Sequence, residues 1–370
     1  MTLTRRKFLK WLGVGSLGIF GGGAAFGAWK PSNFYYKGPK SDHFNGVNFF
    51  NPEGVAPRKL SEVLKWQLSG GKAKWPAEYP SKYDKAKPEP CVDGDEIKIT
   101  MIGHATLLVQ VAGLNFITDP VFVERASPFQ FAGPKRVNPP GVRFEDLPPI
   151  DYVLLSHNHY DHLDLETLSK LIVEHDATII TPLGNDVIVR DAHFSIREKI
   201  GDWTVDHEPQ FITGDWGDVF KLKNDTRVHF EPAHHWSARG IKDRRMALWA
   251  AFVLETPQGK IYHIGDTGFH SGINYKALFQ KHGEMRASIL PIGAYEPRWF
   301  MKGQHQNPDE AVQGHLLCKS KITIAHHWGT FQLTNEAIEA PLEALVEAKK
   351  KYGLIDEAFV ILRPGQTTDV

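Results

Sequence analysis

Residues 157–162 read His157-Asn-His-Tyr-Asp-His162 and follow directly on the apolar run Asp151-Tyr-Val-Leu-Leu-Ser156. Neutral imidazole and carboxylate together suit zinc and its first-row neighbours, whereas magnesium and calcium take oxygen ligands. Histidines two apart in a strand or tight loop project to one side, so His157 and His159 can face one ion. The Asp161-His162 pair that follows can turn toward a second ion beside it. Four metal-competent side chains within six residues, at the end of a strand, supply halves of two adjacent metal sites.

Three more strand ends carry the same residue types. Val228-His-Phe-Glu231 runs into Pro232-Ala-His-His-Trp236, Ile261-Tyr-His-Ile264 into Gly265-Asp-Thr-Gly268, and Ile322-Thr-Ile-Ala325 into His326-His-Trp-Gly329. Sheets of α/β enzymes present their chemistry at such a rim. Four ends bearing His or Asp in Gly- or Trp-flanked turns therefore describe one site, and the spacing alone argues for a dinuclear metal hydrolase. At this level either His234 or His235, and either His326 or His327, can be the ligand.

Around these ends, short apolar strands alternate with turns and helices, the pattern of a single large α/β domain over 96–370. Strands are expected at 97–102, 105–111, 115–118, 151–156, 178–181, 227–231, 247–255, 260–264, 287–292 and 321–325. Helices are expected at 59–68, 163–174, 308–317 and 335–352. Asn307-Pro308-Asp309-Glu310 reads as a capped helix start with proline at the first position. Residues 30–95, rich in Pro, Gly, Lys and aromatics, read as an extension packed on the core.

The 370-residue length is enough to bury a large core. Its 43 basic and 43 acidic residues balance, so nothing global points to nucleic acid. Two cysteines, Cys91 and Cys318, cannot form a disulfide framework. The first 29 residues differ in kind. Thr4-Arg-Arg-Lys-Phe-Leu-Lys10 precedes a charge-free stretch from Trp11 to Trp29, and no acidic residue appears before Asp42. This is the pattern of a twin-arginine export signal or a membrane anchor, placing the protein in the periplasm or at the periplasmic face of a bacterial inner membrane.

The His157–His162 cluster, a later histidine, a Gly-Asp pair and a final histidine resemble the metallo-β-lactamase superfamily. The match is narrower than that. Gly103-His-Ala-Thr106, Thr118-Asp-Pro120, Arg125-Ala-Ser-Pro128, Gly133-Pro-Lys-Arg136, Leu147-Pro-Pro-Ile150 and His327-Trp-Gly-Thr-Phe331 resemble the N-acyl-phosphatidylethanolamine-hydrolysing phospholipase D family. So does Pro291-Ile-Gly-Ala-Tyr-Glu-Pro-Arg-Trp-Phe-Met301, a far more specific run than the histidine cluster. The likeness spans roughly 98–365 in consistent order.

The resemblance implies an αββα sandwich with two zinc ions at the sheet edge. His157, His159 and His235 would hold one zinc, Asp161, His162 and His327 the other, and Asp266 would bridge both. The tryptophan after each family histidine selects His235 over His234 and His327 over His326. Asp161, Asp266 and His305 carry the implied catalytic roles. Tyr160, Arg298 and His305 are substrate-side candidates, and Asp119 is expected to orient a ligating histidine. His104 reads as structural; His263, His270 and His282 have no motif behind them.

Water shared by two such ions loses a proton near neutral pH, which suits hydrolysis of a phospholipid diester to phosphatidic acid and an N-acylethanolamine at a membrane surface. The arrangement is also compatible with a homodimer. A hydrolase of another ester, lactone or small phosphodiester is the alternative, and a non-catalytic, metal-stabilised, membrane-anchored binding protein a weaker one. Two departures bear on substrate: Ala238 stands where the animal lipase has lysine, leaving Arg239 the one basic group there, and Phe131 lacks the hydroxyl of its family counterpart.

Overall fold

The computed structural model describes residues 32–200 and 208–370. The proposed signal, 1–29, lies outside them. Asn33–Val370 forms one compact unit.

Its first sheet contains β1 (Ile97–Gly103), β2 (Thr106–Val111), β3 (Leu114–Thr118), β4 (Tyr152–Leu154), β5 (Thr178–Pro182) and β6 (Phe211–Gly214). A second is built from β7 (Val219–Lys221), β8 (Arg227–Glu231), β9 (Ala251–Thr256), β10 (Gly259–His263), β11 (Met285–Pro291), β12 (Ser320–His326) and β13 (Phe359–Ile361). The last strand, β14 (Thr367–Asp369), returns to pair antiparallel with β1. The orders are β14-β1-β2-β3-β4-β5-β6 and β13-β12-β11-β10-β9-β8-β7. Strands β3 to β6 of the first sheet and β10 to β13 of the second run parallel, whereas β8, which leads to His235, is antiparallel to both its neighbours.

Side-chain alternation along the strands builds three layers of core. On β9, Phe252 and Leu254 face the first sheet and join Ile99, Val109 and Phe116 in the inter-sheet core. Ala251 and Val253 face the other way, against Tyr275 and Leu278 of α4 (Ile273–His282), Val312 of α6 (Pro308–Leu317) and Leu345 of α7 (Ala340–Tyr352). On the far side of the first sheet, Leu168, Leu171 and Ile172 of α2 (Leu165–His175) and Val189 of α3 (Asn185–Ile200) cover Ile117, Val153 and Ile179. Helices on both outer faces of two packed sheets make an αββα sandwich. Two further α-helices are α1 (Leu60–Leu68) and α5 (Arg298–Met301).

Local signals explain several boundaries. Asp164 caps α2 by accepting from Glu166 N at 3.1 Å. Asn307 and Glu310 form a reciprocal capping box at the start of α6, with Pro308 in the first turn. Three expected elements are shorter than their apolar runs. Strand 151–156 stops at Leu154, because Ser156 N donates to the Asp119 carboxylate at 2.7 Å rather than to a neighbouring strand. Strand 247–255 begins only at Ala251; Ala250 N bonds Ser156 O at 3.0 Å, tying the rims of the two sheets together. Helix 335–352 begins at Ala340, with Pro341 in its first turn. Neither α3 nor α4 has a counterpart among the expected helices.

In residues 33–95 the later part meets the first sheet, where Ala86 joins its outer core and Gly113 N donates to Val92 O at 2.9 Å, while the earlier part lies against the second sheet's helical core and the rim. Phe44 and Phe49 are fully buried in that core, their rings 4.5 Å apart. Phe49 N donates to Arg245 O at 2.8 Å, and Asn51 Nδ2 reaches His235 O at 2.9 Å. Among the described residues no helix is long and apolar enough to cross a membrane. Because Phe49 fills core volume, Phe49→Ala should lower the unfolding free energy by about 3–5 kcal/mol in urea denaturation. A loss under about 0.5 kcal/mol, the range of a surface substitution, would contradict its place in the core.

Candidate metal centre

The four rim segments converge. His157 Nε2 lies 2.9 Å and His235 Nε2 lies 3.1 Å from His159 Nδ1. Beside this trio, Asp161 Oδ2 stands 3.2 Å from His327 Nε2 and 3.5 Å from His162 Nε2. Asp266 lies between the two groups: its Oδ1 is 3.2 Å from His327 Nε2, and its Oδ2 is 3.3 Å from His162 Nε2 and 3.7 Å from His235 Nε2. Among the alternatives left open by sequence, His235 and His327 face the cluster. His234 packs instead on the His270 ring at 4.2 Å, and His326 lies 5.5 Å from the His263 ring.

The electrostatics of this pocket fit a cation. Burial pushes the imidazoles of His157, His159 and His235 down, His159 to about 4, so they present neutral lone pairs. His235 Nδ1 must donate to the Gln304 carbonyl at 3.0 Å, which leaves its Nε2 a bare acceptor aimed at the trio. His159 Nε2, His162 Nε2 and Asp266 Oδ1 are buried without hydrogen-bond partners. Burial opposes ionisation of Asp161 and Asp266, but neighbouring His162 and His327 overcome it and hold both carboxyls well below the usual range. The carboxylates in turn raise His162 and His327 against the effect of burial, His327 to about 9. Two buried carboxylates thus already draw positive charge into the site, and a metal ion would supply it.

Backbone geometry fixes these side chains. His104, Asp119 and His327 all sit at positive φ (56°, 34° and 62°), a conformation that costs a non-glycine residue about 1–3 kcal/mol and concentrates at functional sites. Gly265, at φ 63°, is required for a different reason: a Cβ there would meet Ser156 Cβ at 2.6 Å, so only glycine lets Asp266 enter beside His157. At Gly293 a Cβ would lie 2.0 Å from the His327 carbonyl oxygen.

Other candidates take varied positions. Asp119 is completely buried and accepts from His162 Nδ1 at 2.8 Å, Ser156 Oγ at 2.8 Å and His263 Nε2 at 3.3 Å. His305 hangs over the cluster with Nδ1 3.8 Å from Asp266 Oδ2 and no hydrogen-bond partner for that nitrogen. Tyr160 is committed elsewhere: its hydroxyl donates to Arg239 O at 2.9 Å, and the Arg239 guanidinium lies 3.9 Å above its ring. Arg298 is likewise engaged, with Glu310 at 2.7 Å and the His305 carbonyl at 2.9 Å. Sequence reasoning missed His104, whose Nε2 lies 3.0 Å from Asp161 Oδ2, and His263, which shares Asp119. For His104 the Gly103-His-Ala-Thr106 motif was the available signal.

A cavity of about 440 Å³ opens onto His159, Asp161, Asp266 and His305. Its walls are apolar, from Val63, Trp66, Trp236, Ile241, Phe300 and Met301, with Arg58 and Arg244 also contributing. A larger cavity of about 800 Å³, lined by His270, Lys276 and Asn307, contains none of the clustered donors.

Comparison with known proteins agrees with this geometry. Residues 114–328 match the family model described as the beta-lactamase superfamily domain. The N-acyl-phosphatidylethanolamine-hydrolyzing phospholipase D 1 of Caenorhabditis elegans is 36% identical over 276 residues, covering 72% of this chain and 74% of its own. Among solved structures, an isothiocyanate hydrolase from Delia radicum gut bacteria shares the fold, with a TM-score of 0.55 at 20% identity over 73% of this chain and 98% of its own. So does a metallo hydrolase from Ignicoccus hospitalis, at 0.52 and 18% over 74% and 98%.

If Asp119 sets the orientation of His162, Asp119→Asn should weaken metal retention about 10–100-fold in a chelator competition while far-UV circular dichroism stays unchanged. Unchanged retention would reduce Asp119 to a turn cap.

Proposed function

The chain belongs to the β-lactamase superfamily, and from that footing we propose that this metallo-β-lactamase-fold hydrolase is a dinuclear zinc phosphodiesterase. Its substrate in this reading is a phospholipid, N-acyl-phosphatidylethanolamine, cleaved to phosphatidic acid and an N-acylethanolamine. One observation carries the proposal: two donor clusters share Asp266 at the floor of an apolar cavity. The likeness to the nematode phospholipase supports the lipid substrate.

His157, His159 and His235 would hold one ion, Asp161, His162 and His327 the other, with Asp266 toward both. Ions held by these residues would supply a water acidic enough to act as nucleophile at neutral pH and would neutralise charge on the phosphate. His305, pushed to about 4 by burial, is neutral at working pH and can donate one N–H to a non-bridging phosphate oxygen. Arg298 acts one step back, holding the His305 carbonyl. Arg244, its guanidinium 4.7 Å from the Trp236 ring centre, adds positive charge to the cavity lining. The apolar walls exclude bulk water, which strengthens each of these electrostatic contacts.

The cavity mouth suits a lipid surface. Val63 and Trp66 of α1 face the cavity, while Leu64 and Leu68, one helical turn apart, stand 55% and 86% exposed beside it. Ile241 is 87% exposed on the same cavity's lining. In this reading the activity sits at the periplasmic face of an inner membrane, which the exposed apolar residues and the twin-arginine-like pattern at Arg5-Arg6 support.

Incubation with a mixed lipid extract, followed by mass spectrometry, should show N-acyl-phosphatidylethanolamine lost and phosphatidic acid gained in equal amounts. Asp266→Asn should abolish that turnover, a fall of at least about 10³-fold. Lactone opening without lipid turnover would overturn the substrate assignment. Separately, Leu64→Asp with Leu68→Asp should cut turnover of vesicle lipid about tenfold or more while sparing a short-chain soluble analogue. Equal loss on both substrates would remove α1 from the membrane contact.

A further inference from the structure

A second group of donors lies outside the rim cluster, where β8 meets the C-terminal end of α4. His229 and Glu231 are two residues apart on β8 and project from one face of the strand. His282 is the last residue of α4. One donor atom from each lies within 4.8 Å of the other two, and all three residues are buried. The His229 and His282 rings stand 4.8 Å apart at 85°, and His282 Nε2 is 2.7 Å from Glu231 Oε1.

The protonation pattern here is that of a ligand set. His229 Nε2 lies 2.8 Å from the Glu255 carboxylate, which fixes the ring N–H on that side and leaves Nδ1 a bare, buried nitrogen with no partner. A carboxylate behind a histidine, orienting it and raising its basicity, is the usual support for a metal-bound imidazole. Burial keeps His229 neutral, and His282 with Lys281 holds Glu231 ionised although burial opposes it. Lys281 Nζ sits 2.7 Å from Glu231 Oε1, with its side chain 44% exposed. With its stem reaching solvent, the Lys281 ammonium can swing out to water when another cation takes its place on Glu231. Lys281 therefore occupies the place of a displaceable cation.

We propose that His229, Glu231 and His282 form a separate binding site for a divalent transition metal, zinc or a first-row neighbour. Two imidazoles and a carboxylate match that class, and three protein ligands leave a coordination position for water. An ion there would pin β8, four residues before His235, to the end of α4. The proposal does not depend on the substrate assigned to the rim site.

The test is a difference measurement on the purified full chain. Zinc chloride is titrated into the protein and into a His229→Gln, His282→Gln double variant, and retained zinc is measured by elemental analysis after dialysis. The variant should hold one equivalent less and keep its hydrolytic rate. Equal zinc content in the two proteins would overturn the proposal. Because the rim ions are common to both proteins, the difference reads this site alone. Lys281→Ala, which removes the competing ammonium, should tighten the same equivalent several-fold. If the double variant fails to fold, unchanged zinc affinity in Lys281→Ala overturns the site by itself.

Discussion

The Asp119 carboxylate is the interaction on which the rest of the structure turns. It sits at the end of β3, wholly buried, and accepts from Ser156, His162 and His263. Those partners belong to both sheets: Ser156 and His162 follow β4 in the first, while His263 ends β10 in the second. A buried carboxylate without donors would carry a large desolvation cost, so the donors and the charge require one another. Satisfying that requirement brings the two rims to a fixed separation. It also halts β4 early, because Ser156 N is taken by the carboxylate, and so frees the His157–His162 segment to turn across the rim.

From that fixed rim the remaining geometry follows by crowding. Five imidazoles and two carboxylates meet in a space too small and too dry for their lone pairs to be tolerated without positive charge. The positive-φ backbones at His104 and His327, and the glycines at 265 and 293, are the local concessions that let each chain segment come close enough. Such strain persists only where surrounding structure over-determines it. Here the rim ends of the strands that feed the site are buried within the sandwich, which holds these concessions in place.

Much of this is legible in the sequence. The seven rim donors lie at strand ends, and strand ends betray themselves by an apolar run stopping at a polar, glycine-marked turn. What stayed hidden depends on distance along the chain. His104 and Asp161 are 57 residues apart, and nothing local in either says that they touch. Tyr160 and Arg298 looked suited to phosphate by residue type, yet each satisfies itself on a nearby group before any substrate arrives. Ala247-Leu-Trp-Ala250 has the composition of a strand but serves as a bridge between rims, since its backbone bonds Leu183 and Ser156 in place of a ladder. Helix α4 carries too weak an apolar stripe to be seen in sequence, although its end supplies His282.

The size of the rim cavity has its own consequence. About 440 Å³ lies in the lower part of the range that encloses a drug-sized molecule. If the substrate is the proposed phospholipid, this volume would take a headgroup and the first few methylenes rather than two full acyl chains. A diacyl substrate would keep its tails in the bilayer throughout turnover. Rate would then follow the mole fraction of substrate in the surface rather than its bulk concentration. Discrimination among chain lengths beyond those first methylenes would reside in lipid packing rather than in the protein.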